Sequence, residues 1–377
     1  MRRREMPFTK NIPEVLCPTL KRFWERGVFD EYSEQHFFIC AMNGNVTQSA
    51  RASLQRNMAR LRESCFGKFE LHDFTTNFII NFASKFEALC NYFGEAEMEK
   101  FMKNQFSAGK KHYDDNLFWQ ALSEIHMLCY FIGLGPAFVR EAKYEPHLGK
   151  GKSNPEARLI YENDMILDIE VKTPCFPIRE IHKEYLLPSV LLNSEGREKL
   201  SNYCEANNIV CTFPRVKKIK DYINSAGKKF VVPKEKNHVN LLAINWTYSN
   251  FGDSGLFEPL MLFCNPINGL FVNKDIALGL EIENEALKKI SAILLYQMPE
   301  EMLIFGDSRY LFMKKDYILI INPYAECVDE EIVFKMTHMK KQEILTDFSI
   351  GYFSLDPKDA DRRLRDLKEI IESGILK

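Results

Sequence analysis

The stretch ILDIEVKTP, residues 166–174, places Asp168, Glu170 and Lys172 at alternate positions, with Leu167, Ile169 and Val171 between them. In an extended strand successive side chains point to opposite faces, so the charged groups share one face and the apolar ones the other. Two carboxylates beside an ammonium can do specific chemistry. Carboxylate oxygens hold hard divalent ions such as Mg²⁺, and a lysine can orient water or stabilise negative charge as it develops. The alternation equally describes the wet face of an edge hairpin, with Arg158 and Asp168 as a surface ion pair.

The pairing register bears on that choice. ARLIY, residues 157–161, forms the first arm of a hairpin turning near Asn163-Asp164. A two-residue turn would oppose 162 with 165 and 156 with 171, mixing apolar and charged residues on one face. A connection through Glu162-Asn163-Asp164 instead opposes 161 with 165, 159 with 167 and 157 with 169. All the apolar residues then share a side. The same register sets Arg158 beside Asp168 and Glu156 beside Glu170. Directly opposed Cβ atoms lie about 5 Å apart, a separation at which two carboxylates repel. A divalent cation between them would remove the conflict, with Lys172 reaching the edge of the site.

Glu170-Val171-Lys172 resembles the (D/E)xK half-motif of the PD-(D/E)xK nucleases, which share the restriction-endonuclease-like fold. Pro155-Glu156 in NPEARL resembles the PD half, with Glu in place of the usual Asp. A helical glutamate commonly precedes the motif in that superfamily. FWQALSEIHMLCYF offers Glu124, at the border of the stripe Ala121, Leu122, Ile125, Leu128 and Cys129. The order of elements agrees over roughly residues 116–300, although three short stretches carry the resemblance. What it implies is a Mg²⁺-dependent phosphodiesterase, with Mn²⁺ able to substitute. Endonuclease action is favoured over exonuclease action, DNA over RNA, and a restriction or defence role is in keeping. Glu156 and Glu170 would hold the metal, the backbone carbonyl of Val171 would join them, and Glu124 would complete the site or hold a water. Lys172 would orient the attacking water or stabilise developing charge. The departure at Glu156 leaves Asp168 or Asp164 as alternative acids. A noncatalytic module keeping the fold to bind nucleic acid or protein is the second reading. A bare (D/E)xK triplet is common, since Asp366-Leu367-Lys368 matches it too.

The elements that must position these residues follow from periodicity. Residues 1–115 read as helical, with Leu54, Met58 and Leu61 at helical spacing and a far more apolar helix in TTNFIINFASKFEALCNYFG, stopped by Gly94. Residues 116–325 read as the α/β core, a mixed sheet flanked by helices. Its first helix, DNLFWQALSEIHMLCYFIGLG, is capped by Asp115 or Asn116. FVREAKYEP, HVNLLAINW and ISAILLYQ read as strands, and YLFMKKDYILIINP as a further hairpin or strand pair. Residues 326–377 read as a C-terminal helical extension, whose charged helix would dock on the body or on a second copy. For gripping nucleic acid, the loop HLGKGKSN offers Lys150 and Lys152 beside Glu156. The helix in PRVKKIKDYINSAGKKF carries Lys217, Lys220 and Lys228 outside a stripe of Val216, Ile219, Tyr222, Ile223 and Ala226. That outer stripe is also what any solvated helix face looks like.

Composition bounds the partners. Fifty basic residues against 52 acidic ones leave a net charge of −2, so any polyanion contact must be local. The 29 phenylalanines predict an aromatic core. Ten cysteines without a CxxC pair argue against a zinc ribbon or a disulfide framework, and fit a reducing interior. MRRREMPFTK is followed by no apolar h-region, and no segment approaches the roughly 18 apolar residues of a membrane span. A soluble, cytoplasmic protein without membrane partners is expected. Histidines form no HxxxH or HxH pair, so His182 and His238 read as structural. Glycines lack nucleotide-binding spacing, and Ser254 in GDSG reads as a turn. Cutting both strands of a duplex at once would take two copies, which makes a homodimer the assembly to test.

Overall fold

The apolar periodicity of the N-terminal part does produce helices. The computed structural model describes residues 16–44, 71–134, 139–148, 153–174, 185–246, 256–298, 317–337, 339, 351–353 and 360–376. The helix expected around Leu54, Met58 and Leu61 lies outside the described residues. Within them run α1 (Pro18–Glu25), α2 (Phe37–Met42), α3 (Leu71–Phe93) and α4 (Glu95–Phe101), which continues into a π-helical turn at Met102–Phe106. Their phenylalanines interlock as rings, with Phe82 stacked on Phe106 at 4.6 Å and Phe37 on Phe118 at 5.1 Å between centroids. Phe118 belongs to α5 (Asp115–Leu134), the helix that carries Glu124. Its cap is Asp114, whose Oδ1 accepts the Asn116 N–H at 2.8 Å, one residue earlier than Asp115 and two earlier than Asn116.

The strands are β1 (Val139–Tyr144), β2 (Ala157–Tyr161), β3 (Ile166–Lys172), β4 (Tyr185–Leu187), β5 (Val210–Cys211), β6 (His238–Asn245), β7 (Ala292–Tyr296), β8 (Tyr317–Ile321) and β9 (Gly351–Phe353). Six of them form one mixed sheet in the order β1-β2-β3-β6-β7-β8. β1, β2 and β3 make an antiparallel meander, β6 and β7 continue parallel to β3, and β8 closes antiparallel. Helices cover both faces, so the chain is a mixed α/β protein. On one face Leu159, Leu167, Ile169, Leu241 and Leu294 pack with α5 and the N-terminal helices in a single apolar cluster. On the other, Leu242, Ile244, Ile293, Leu295 and Ile320 pack against α7 (Val216–Lys229), α8 (Phe257–Cys264), α9 (Lys274–Gly279) and α10 (Asn284–Lys289). Burial on both faces explains why β6 and β7 read as continuous apolar runs. No helix among the described residues is long and apolar enough to cross a membrane.

The hairpin register matches the one that gathers apolar residues on one side. Ala157 faces Ile169, Arg158 faces Asp168 and Leu159 faces Leu167. The Tyr161 N–H donates to Met165 O at 2.9 Å, so three residues make the connection. Asp164, the last of them, takes the left-handed φ of 58° that a three-residue hairpin needs.

A smaller sheet in the order β5-β4-β9 sits with α6 (Ser194–Ala206) and the C-terminal α12 (Ala360–Ser373). Leu367 and Ile371 of α12 are buried with Leu200 and Cys204 of α6, so this helix docks on its own body. The C-terminal segment expected to be helical contains α11 (Glu330–Thr337) and α12 but also strand β9. Of the strand pair expected in YLFMKKDYILIINP, β8 is described and residues 310–316 lie outside the described residues.

One close approach fixes the helix that bears on the site. A Cβ on Gly227 of α7 would lie 2.3 Å from Ala286 Cβ and 2.5 Å from Ala286 Cα of α10. Alanine would add roughly 1 kcal/mol of helix propensity, but the clash is with backbone and cannot be relieved by a rotamer change. Overpacking of this kind costs about 1–3 kcal/mol, so Gly227→Ala is expected to destabilise the protein. Chemical denaturation checks it; an unchanged or raised midpoint would mean that α7 and α10 separate easily.

Candidate active site

Opposing Glu156 to Glu170 is the consequence of the hairpin register. Glu156 immediately precedes β2, and its carbonyl accepts the Glu145 N–H at 2.9 Å, which holds it against the end of β1. Glu170 lies mid-strand in β3 with its side chain fully buried, and Glu156 is only 8% exposed. Two buried carboxylates this close need positive charge. Two lysines provide it. Lys172 Nζ, two residues along the same face of β3, lies 2.5 Å from Glu170 Oε1. Lys229 Nζ, from the last residue of α7, lies 2.7 Å from Glu170 Oε1, 3.0 Å from its Oε2 and 3.4 Å from Glu156 Oε1. The conflict assigned to a divalent cation is therefore relieved here by an ammonium between the two acids.

The relief is incomplete. Burial, and then the charge of Glu170, push the Glu156 carboxyl up to about 7, against the pull of Lys229 and Lys172. Burial also opposes the charge on Lys229, but Glu156 and Glu170 outweigh it and hold the amine above the ordinary lysine range. Glu170 Oε1, though close to both ammonium groups, accepts no well-aligned hydrogen bond.

The next acid along the strand is satisfied differently. Asp168 is fully buried, and its carboxylate accepts two hydrogen bonds from Arg158, Nε and Nη2 each at 2.7 Å. His238 Nε2 of β6 lies 2.9 Å from Asp168 Oδ2. The Arg158–Asp168 pair is thus a buried clamp joining β2, β3 and β6, not the surface ion pair of a wet edge. Asp164, the other alternative acid, pairs with Arg140 at 2.7 Å in the exposed turn.

Glu124 reaches the same end of the sheet from the opposite face. Its neighbour Ser123 bonds Tyr296 of β7 at 2.8 Å and accepts from Asn245 of β6 at 3.2 Å, which fixes α5 to the sheet. Tyr144 of β1 donates its hydroxyl to Glu124 Oε1 at 3.0 Å. Burial, then the charge of Glu156, drive the Glu124 carboxyl well above its usual range, so it tends to keep its proton. Among the described residues no group of three or more His, Cys, Asp or Glu is placed to hold a metal ion. Glu156 and Glu170 thus share Lys229, while Glu124 stands nearby with Tyr144 as its hydrogen-bond partner. Val171 sits between Glu170 and Lys172 in the β3–β6 ladder opposite Ala243, with its side chain toward the α5 face.

A pair is still a fit for Mg²⁺, which takes one or two carboxylates and fills its remaining positions with water and phosphate oxygens. The observation favouring that fit is the ammonium of Lys229, a cation already seated between the two acids. The remaining candidates divide. Lys220 Nζ lies 2.6 Å from Glu281 Oε2 and Lys228 Nζ 3.6 Å from Glu283 Oε1, so both outer-face lysines already meet carboxylates. Lys217 is exposed on the first turn of α7. Lys150 and Lys152 lie outside the described residues. Lys229, Tyr144 and His238 are partners that the sequence reading did not assign to the site. For Lys229 a signal existed: it falls three residues after Ala226, on the inward stripe of α7.

Compared with protein-family models, curated proteins and solved structures, the chain finds no match in any of the three.

The position of Glu156 has a thermodynamic signature. Its folded carboxyl holds the proton more tightly than the ordinary value of 4.5, so the native state binds more protons than the unfolded one. Stability from this group is complete below pH 4.5 and is lost as pH rises toward about 7. Glu156→Gln should flatten that part of the stability profile, measured by denaturant unfolding at several pH values. An undiminished slope in the variant would place the titrating group elsewhere.

Proposed function

We propose that this protein is a metal-dependent nuclease with a restriction-endonuclease-like core, hydrolysing phosphodiester bonds in DNA in preference to RNA. The observation that carries the reading is the opposed, buried Glu156–Glu170 pair with Lys172 on the same strand face. The order α5, β1, β2, β3, with α7 and β6 following after the intervening β4, α6 and β5, supports it, because the resemblance to PD-(D/E)xK nucleases implies a glutamate-bearing helix, a strand, the two acid-bearing strands and then a helix and a strand. Isolated surface charges have no reason to be buried together at this cost, whereas a cation-binding centre does.

In this reading Glu156 and Glu170 hold Mg²⁺, or Mn²⁺ in its place, with the Val171 carbonyl beside them. The ion supplies Lewis acidity toward a phosphoryl oxygen and toward water. Lys172 is held 2.5 Å from Glu170, so its ammonium stays at the edge of the pair and faces the phosphate that approaches it. It lowers the energy of charge developing on phosphate oxygens and orients the water that attacks. Glu124, bonded by Tyr144, supports the end of the sheet and can hold a proton near Glu156. A restriction or defence role, with the helical N-terminal region selecting the target, is the biological setting proposed, and a homodimer is the assembly for duplex cutting.

One observation favours a second reading, in which the fold binds nucleic acid without cutting it. Lys229 bridges both acids and Lys172 meets Glu170, so the pair has cationic partners within the protein itself. The two readings separate in one experiment. Plasmid DNA and a structured RNA are incubated with the protein and Mg²⁺ or Mn²⁺, using wild type, Glu170→Ala and Lys172→Ala. A nuclease should cut only with metal, and each substitution should lower the rate by roughly 100-fold or more. Cleavage that persists in both variants would remove these residues from the site. Binding without cleavage in the wild type would favour the noncatalytic module.

A further inference from the structure

Lys229 has a position that Lys172 does not share. Lys172 touches Glu170 alone, from the strand that carries both. Lys229 reaches across from a separate element and touches both acids, so its ammonium occupies the bridging position between them. A divalent ion held by the same two carboxylates would need that position. The ion and the ammonium cannot both occupy that one position, although Lys172 shows that a second cation can stand beside it on Glu170 Oε1.

Resting on the metal-dependent reading above, we propose that Lys229 is a built-in competitor for the divalent ion. It holds Glu156 and Glu170 together when no ion is present, and it must leave the bridge when one enters. Several features make that exchange feasible. Lys229 is the last residue of α7, and the chain turns extended at Phe230, with φ −78° and ψ 150°. Its side chain is 19% exposed, so the amine has a short path to solvent. A lysine stem has four flexible carbons and a compact head, unlike the planar fork of an arginine, so little structure need move with it. The close contact of Gly227 with Ala286 keeps the helix backbone in place while the side chain swings.

The exchange sets an upper limit on metal affinity, because every binding event must first break the contacts of Lys229. The test measures Mn²⁺ alone, by titration calorimetry of the full chain without nucleic acid. Lys229→Met and Lys229→Gln remove the competing charge, the second keeping a polar head should the first fail to fold. Both are expected to bind Mn²⁺ at least about tenfold more tightly than wild type, equivalent to about 1.4 kcal/mol. Lys229→Arg retains the charge and should not show the gain. A second readout needs no variant: amine labelling of Lys229 in the wild type, followed by mass spectrometry, should rise when Mn²⁺ is added. Unchanged or weaker Mn²⁺ binding in the uncharged variants, or labelling unaffected by Mn²⁺ that does bind, would overturn the competitor role. Metal-dependent cleavage by the wild type would then leave the nuclease reading standing. Failure of the wild type and every variant to bind Mn²⁺ would overturn both.

Discussion

Two buried carboxylates, one on β3 and one just ahead of its neighbour β2, are the constraint around which this fold is arranged. Leaving one buried charge without its partner costs about 3–5 kcal/mol, a large share of the stability of any domain. The surrounding elements can be understood as answers to that cost. The three-residue hairpin connection sets Glu156 against Glu170, and the same register buries Leu159, Leu167 and Ile169 on the reverse side. The apolar contacts therefore enforce the polar conflict: relieving it by a one-residue slip would turn one strand's core-facing residues to the other face of the sheet. Helix α7 then has to end where it does, because Lys229 must arrive between the acids.

The neighbouring acid shows what a purely structural solution looks like. Asp168 is as deeply buried as Glu170, yet its two oxygens accept from Arg158 and meet His238, with short, directed contacts from the strands on either side. Both oxygens of that carboxylate therefore have directed partners within the sheet. Glu170 has charge contacts of similar length but an oxygen without a well-aligned donor, and its partner Glu156 is still pushed up to about 7. The contrast lies between two acids two residues apart on one strand. It separates a clamp that holds the sheet from a site that retains capacity for more positive charge.

Much of this was legible in the chain because strands report their geometry at short range. The hairpin register followed from apolar alternation alone, and Glu124 was placed at the edge of its helix stripe by the same logic. What was not legible depended on contacts distant in sequence. Lys229 is 59 residues from Glu170, and only its phase on the inward stripe of α7 hinted at a role. Lys220 and Lys228 looked free because Glu281 and Glu283, which meet them, belong to a turn far along the chain. The pairing of Asp168 with Arg158 was legible, but its burial was not, because the covering face, supplied by β6 and the helices after it, cannot be read from the hairpin. The cap of α5 at Asp114 differs by so little because helix ends depend on one side-chain rotamer.

The triplet Asp366-Leu367-Lys368 shows why strand context matters more than the motif. It contains the same residue types at the same spacing as an acid-x-lysine strand motif, but it lies in α12. At about 100° per residue, positions two apart on a helix point to nearly opposite sides, whereas on a strand they share a face. Leu367 is buried in the third apolar cluster, Lys368 lies 3.7 Å from Glu372, and the Tyr203 hydroxyl is 3.4 Å from Asp366. The acid and the lysine are thereby given separate partners on a helix surface. In β3 the period of two brings Glu170 and Lys172 into contact, and the antiparallel neighbour delivers Glu156 to the same place. The capacity for chemistry thus comes from the ladder that converts spacing into proximity, and from a helix that ends on a lysine placed between the two acids.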